Sequence, residues 1–189
     1  MYFWNAGIGL IMLVAMGAAA LVMQNDLREF IGLLGGALPV MPMAALAMGF
    51  CLCTSAVAAP SISLEGKYLW ILREAPVDER SLLWIKTGFE LLLSLPCTVI
   101  GGVCLIIALQ LTAPEGALLI FSMALFAGCH AAFGMLMGLT FPKLDAVNET
   151  VVVKQSLAVM LDMFVPMGVL GLCALLYWLC LLYTSDAAD

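Results

Sequence analysis

The chain has 189 residues, 65% of them hydrophobic and only 11% charged, with a mean hydropathy of +1.13. A soluble domain carries about a quarter charged residues, so this composition excludes a water-soluble globular fold and predicts an all-α, polytopic transmembrane helical bundle. The net charge of −6 is a thin, scattered acidic excess and points to no nucleic-acid partner.

The first expected span covers residues 2–23. It has no basic lead-in and an apolar run too long for a signal peptide, so it reads as a membrane helix. Its abrupt apolar start suggests a piece of a longer protein. Asp26 to Leu34 follows as a short amphipathic helix on the outer surface. The second span is expected over 37–59, with Pro39 and Pro42 near its start, where proline is tolerated.

A polar island, Ser61 to Lys86, then interrupts the apolar sequence and holds four of the seven basic residues: Lys67, Arg73, Arg80 and Lys86. Tyr68 to Glu74 can form two helical turns that lie at the interface, with Tyr68 and Trp70 at headgroup level. Pro76 disfavours helix at Ala75 and makes an elbow. A second helix starts after it, with Asp78 as N-cap, Glu79 at the positive end of the helix dipole and Val77 stapled to Leu82. This helix is expected to run through Lys86 into the third span at 87–111, where Pro96 and Gly101-Gly102 are candidate kinks. Glu90, one turn past Lys86, is expected to pair with it at i,i+4.

The fourth span is expected over 117–139 and the fifth over 157–182, so the five spans run about 22 to 26 residues each. The loop between the last two, Phe141 to Ser156, holds Lys143 and Lys154. Basic residues collect on the cytoplasmic side. Loops 61–86 and 141–156 are therefore placed inside, in a multi-pass protein of a plasma membrane. Asn148-Glu149-Thr150 matches the glycosylation sequon, but that cytoplasmic placement leaves it unmodified.

Two ionisable residues fall inside expected spans. Asp162 lies about 7–8 Å into the fifth, and His130 lies nine residues from the inner end of the fourth. Intramembrane ionisable groups are costly and suggest function, so a proton-linked secondary transporter using Asp162 and His130 is the alternative reading. Gly134 and Gly138 form GxxxG and allow close helix approach. The seven cysteines lie in or beside apolar segments without zinc-like spacing and read as packing residues, and the 13 methionines read the same way. No metal site or cofactor is expected. HExxH and GxSxG are absent, which argues against a membrane-embedded hydrolase.

Several of these residues carry a family resemblance. Glu65-Gly66-Lys67, Leu69-Trp70-Ile71-Leu72, Ala75-Pro76-Val77, Leu82-Leu83 and Lys86 resemble the first cytoplasmic loop of ABC-2 type permeases. Phe141-Pro142-Lys143-Leu144-Asp145, Asn148-Glu149 and Val153-Lys154-Gln155-Ser156 are similar to a "PKLDWxNE…VKQ" segment in the C-terminal half of Gram-positive-type ABC exporter permeases. Ala146-Val147 replaces the usual aromatic there.

The resemblance implies the membrane subunit of a bacterial ABC exporter. Its site would be an ATPase-coupling loop formed by Glu65, Gly66, Lys67, Trp70, Arg73, Pro76, Val77, Arg80 and Lys86. A second cytoplasmic loop would hold Pro142, Lys143, Asp145, Asn148, Glu149 and Lys154. The implied partners are a separate ABC ATPase subunit, a second permease half or a second copy of this one, and the lipid bilayer. The chain has no GxxxxGK[ST], so it is expected not to be an enzyme itself. A half of this family usually has six spans, which makes the five counted here, over 1–182, a truncated domain. The tail Cys180 to Asp189 resembles translated sequencing-adapter read-through, so residues 180–189 are expected to be non-native.

Overall fold

The fold is described from a computed structural model, which defines residues 7–33, 39–66, 74, 78–143 and 156–186. Among these residues every element is helical, as the composition predicts. In chain order they are α1 (Ile8–Val22), α2 (Gln24–Leu33), α3 (Val40–Cys53), α4 (Ser61–Glu65), α5 (Glu79–Leu109), α6 (Ala113–Thr140) and α7 (Leu157–Asp186). Apolar helical segments therefore stand at all five expected positions. Three of them, within α5, α6 and α7, are long and apolar enough to cross a membrane, and α1 with α2 makes a fourth if that bent pair is one span.

The first two spans differ from the sequence expectation in shape. At Met23 the chain bends by 80° from α1 into α2. Arg28 explains where α2 goes. Its guanidinium donates to the carbonyl oxygens of Ala108 (2.8 Å) and Ile107 (3.0 Å), at the last turn of α5. Carbonyls in a last turn lack the usual i+4 donor, the Ile107 oxygen having only a long bond from the C-cap Gln110 N–H (3.4 Å), and a cation there also opposes the negative end of the helix dipole.

Where the second span is expected, over 37–59, the helix ends early. α3 has 14 residues, about 21 Å of helix against a hydrocarbon core of about 30 Å. Two hydroxyls compete with the helical ladder at its end. Thr54 Oγ1 donates to the Cys51 carbonyl and Ser55 Oγ to the Leu52 carbonyl, both at 2.8 Å. The chain then runs through irregular backbone from Ser55 to Pro60, every residue of it buried. Buried non-helical backbone needs protein around it to partner its polar groups, and here α5, α6 and α7 surround it.

α5 is one continuous helix of 31 residues that carries Lys86 without interruption, as expected. Asp78 occupies its N-cap position with extended backbone, but its side chain makes no capping bond. Pro96 lies inside the helix and does not divide it. The glycine pair serves packing rather than a break, since Gly101 faces Leu13 and Gly17 of α1 at a separation that a β-carbon would crowd. α6 starts with a capping box between Thr112 and Glu115.

The core is small. Leu10, Leu13, Met48, Leu52, Leu105 and Leu119 form it where α1, α3, α5 and α6 meet. α7 packs chiefly on α3 and α6 and is exposed along most of its length. Its contact with the irregular segment is a second small cluster, Ala56, Ala59 and Val159 with Met163 beside them.

Candidate functional site

Two polar assemblies stand out. The first is at the end of the bundle where the island begins. Pro60 turns the chain into α4, and Gly66 closes that helix with a φ of 29°, a conformation that favours glycine. The turn leaves Glu65 facing α5, where its carboxylate pairs with the Lys86 ammonium. Lys86 Nζ also donates to the Ser61 carbonyl at 3.2 Å. The backbone N–H of Lys143 donates to Ser63 Oγ at 2.9 Å. The starts of both polar loops are thus tied together at one end of the bundle.

Arg80 is exposed beside a shallow depression of about 260 Å³ that includes Trp84, Thr87 and Met135. Pro142 is exposed next to Lys143. Lys67, Trp70, Arg73, Pro76, Val77, Asp145, Asn148, Glu149 and Lys154 lie outside the described residues, as do the interfacial helix and the elbow.

The second assembly lies inside the bundle. It joins His130 of α6 and Asp162 of α7 to Glu90 of α5, a residue the sequence reading had assigned elsewhere. Glu90 does not pair with Lys86. It turns inward, is 1% exposed, accepts the Ala58 N–H at 2.7 Å with Oε2, and meets His130 Nδ1 at 3.2 Å with Oε1. Lys86 is taken by Glu65, and Ala58 lies in the irregular segment, where its N–H has lost its helical acceptor. A carboxylate brought to that donor satisfies a buried backbone group.

His130 Nε2 approaches Asp162 Oδ1 at 3.8 Å, beyond hydrogen-bond length. Both Asp162 oxygens and His130 Nε2 are buried without a hydrogen bond. Gly134 makes room for this carboxylate, because a β-carbon there would stand 2.9 Å from both oxygens. Gly138, one turn on, lets α6 close onto the Ala59 carbonyl. The GxxxG pair therefore receives α7 at one glycine and the irregular segment at the other. Among the described residues no group of three or more His, Cys, Asp or Glu side chains is arranged to hold a metal ion.

A sequence model of the family described as "Putative ATP-binding cassette" matches residues 11–184, nearly the whole chain. The chain belongs to this ATP-binding cassette family. No curated protein and no solved structure matches it.

Membership places the protein with ABC transporters, as the two loop motifs implied. It also corrects one expectation. The chain was expected not to be an enzyme, because it lacks GxxxxGK[ST]. The family it belongs to is described as an ATP-binding cassette, which is an ATPase type of region. One missing motif is too narrow a ground for assigning ATP chemistry wholly to another chain.

Proposed function

We propose that this protein is the membrane-spanning, ABC-2 permease-like part of a bacterial ATP-binding-cassette exporter. In this reading, the element at 61–86 receives the work of ATP hydrolysis and passes it to α5. Loops 61–86 and 141–156 face the cytoplasm and dock on the nucleotide-hydrolysing module of the assembly, and a second membrane half completes the transporter in the plasma membrane.

The observation that carries this reading is the Glu65–Lys86 ion pair. It fastens the beginning of the island to the base of an unbroken helix that is long and apolar enough to cross a membrane. A push on α4 therefore reaches α5 through a short, directional contact. A flexible linker could not transmit it. The Lys143–Ser63 bond supports the reading by bringing the second loop to the same end.

Two measurements test it. A photo-reactive residue in place of Arg80 is expected to capture a polypeptide segment bearing GxxxxGK[ST], whereas one in place of Leu118, at the opposite end of the bundle, is not. Capture from Leu118 alone would overturn the assignment. In the assembled transporter, Glu65→Lys is expected to uncouple ATP hydrolysis from transport without loss of insertion, and Glu65→Lys with Lys86→Glu is expected to restore coupling. A double variant as uncoupled as the single one would remove the ion pair from the mechanism.

The alternative, a proton-linked secondary carrier, is favoured by the approach of His130 to Asp162. Transport by proteoliposomes driven by a pH gradient in the absence of ATP would decide for it.

A further inference from the structure

We propose that Glu90, His130 and Asp162 form a buried proton-binding centre that fastens α7 to α5 and α6. This inference stands apart from the coupling role of residues 61–86 and does not depend on it.

The argument starts from donors and acceptors. The Ala58 N–H serves Glu90 Oε2. With Glu90 ionised, the 3.2 Å contact places the imidazole hydrogen on Nδ1, which donates to Glu90 Oε1. His130 Nε2 and Asp162 Oδ1 then face one another at 3.8 Å as two lone-pair bearers with no hydrogen between them. Asp162 is 0% exposed and His130 4%. A buried carboxylate without a donor is among the costliest arrangements in a protein, more so within a membrane.

One added proton, bound to the Asp162 carboxyl and turned toward Nε2, supplies the missing donor. A single O–H bond forms, no other covalent bond changes, and the cluster loses one negative charge. A single β-carbon added at Gly134 would already stand 2.9 Å from both carboxylate oxygens, and among the described residues no group of side chains is arranged to hold a metal ion. A larger cation would have to force α6 and α7 apart, so the ligand that fits is the proton.

The surroundings leave the three groups to act on one another. On α3, Cys53 is the titratable neighbour that lies within reach of the Asp162 charge. The irregular segment 54–60 contributes no charged residue. One turn from Glu90, Lys86 is engaged by Glu65, and α4 offers Ser61 and Ser63 on this side. Each member of the centre stands on a different long helix, and Glu90 also holds the irregular segment through Ala58. Proton occupancy thus bears on a buried polar contact that joins α7 to the rest of the bundle.

The test uses the whole protein in lipid nanodiscs and infrared difference spectra between pH 5 and 9. Ordinary aspartates are ionised throughout this window, near 3.9 being their usual pKa. A protonated carboxyl band is expected to appear across it, to move when aspartate is labelled with carbon-13 at its side-chain carboxyl, and to vanish in Asp162→Asn. His130→Gln and Glu90→Gln are each expected to shift its midpoint by about one pH unit, a tenfold change in proton affinity. The labelling arm needs no substitution, so a variant that fails to fold leaves the test intact. Absence of a label-sensitive band in that window overturns the proposal. A band whose midpoint ignores both Glu90 and His130 overturns the shared centre.

Discussion

Gly138→Ala and Gly128→Ala are the same chemical change on the same helix, and the structure assigns them opposite signs. Alanine gains about 1 kcal/mol over glycine in a helix interior, and this gain is common to both. At Gly128 a β-carbon meets nothing within 4 Å, so the gain stands. At Gly138 it would fall on the Ala59 carbonyl oxygen, a backbone atom of the buried irregular segment that cannot swing aside as a side chain would. Overpacking of this kind costs about 1–3 kcal/mol, and the rigid obstacle puts it near the upper value. The net expectation is a loss of about 2 kcal/mol for Gly138→Ala against a gain of up to about 1 kcal/mol for Gly128→Ala, a difference of about a hundredfold in the folding equilibrium. Unfolding in mixed micelles with increasing sodium dodecyl sulfate, followed by helical circular dichroism, measures both midpoints. Equal midpoints for the two variants would refute the close approach of α6 to Ala59.

Other perturbations probe the remaining contacts. Glu90→Ala strands the Ala58 N–H and His130 in the interior and is expected to cost about 3–5 kcal/mol in the same unfolding assay, with Glu90→Gln losing less because it can still accept from Ala58. Arg28→Ala removes two bonds to the last turn of α5 and is expected to cost about 1–2 kcal/mol; faster amide exchange is expected at that turn, and Arg28→Lys should restore only part because a point charge cannot serve two carbonyls as a planar fork does. Leu119→Ala, at a side chain 0% exposed, is expected to cost about 2–3 kcal/mol, low for its type because lipid rather than water is the alternative surrounding. Leu125→Ala, 60% exposed on the same helix, should change stability by less than about 0.5 kcal/mol.

Much of the scaffold was legible because hydropathy acts along the chain. The apolar runs placed five helical segments, and the elbow followed by a charged start placed a helix that passes through Lys86 without a break. The misreadings share one cause. Glu90 stands four residues from Lys86, and the i,i+4 rule considers only neighbours on one helix. Its actual partners, Ala58 and His130, stand 32 and 40 residues away. The early end of α3 had a local signal in Thr54-Ser55, hydroxyl residues able to bond back to the preceding turn, but the small apolar residues after them kept the hydropathy of a span. The bend at Met23 had no proline or glycine to mark it. What fixes the direction of α2 is the end of α5, about eighty residues further on.

The clasp between Arg28 and the end of α5 has a consequence for biosynthesis. Arg28 is made 80 residues before the carbonyl of Ala108 that receives it. At about 5–20 residues per second, that separation is roughly 4–16 seconds of synthesis. For that interval the guanidinium has no carbonyl to bond and stays in water or among lipid headgroups, so α2 waits at the membrane surface. The bent first segment is then a half-finished joint that the third long stretch of chain completes on arrival. A nascent chain stalled before Leu109 should leave a cysteine placed near Arg28 open to water-soluble thiol reagents, and one stalled after α6 should protect it.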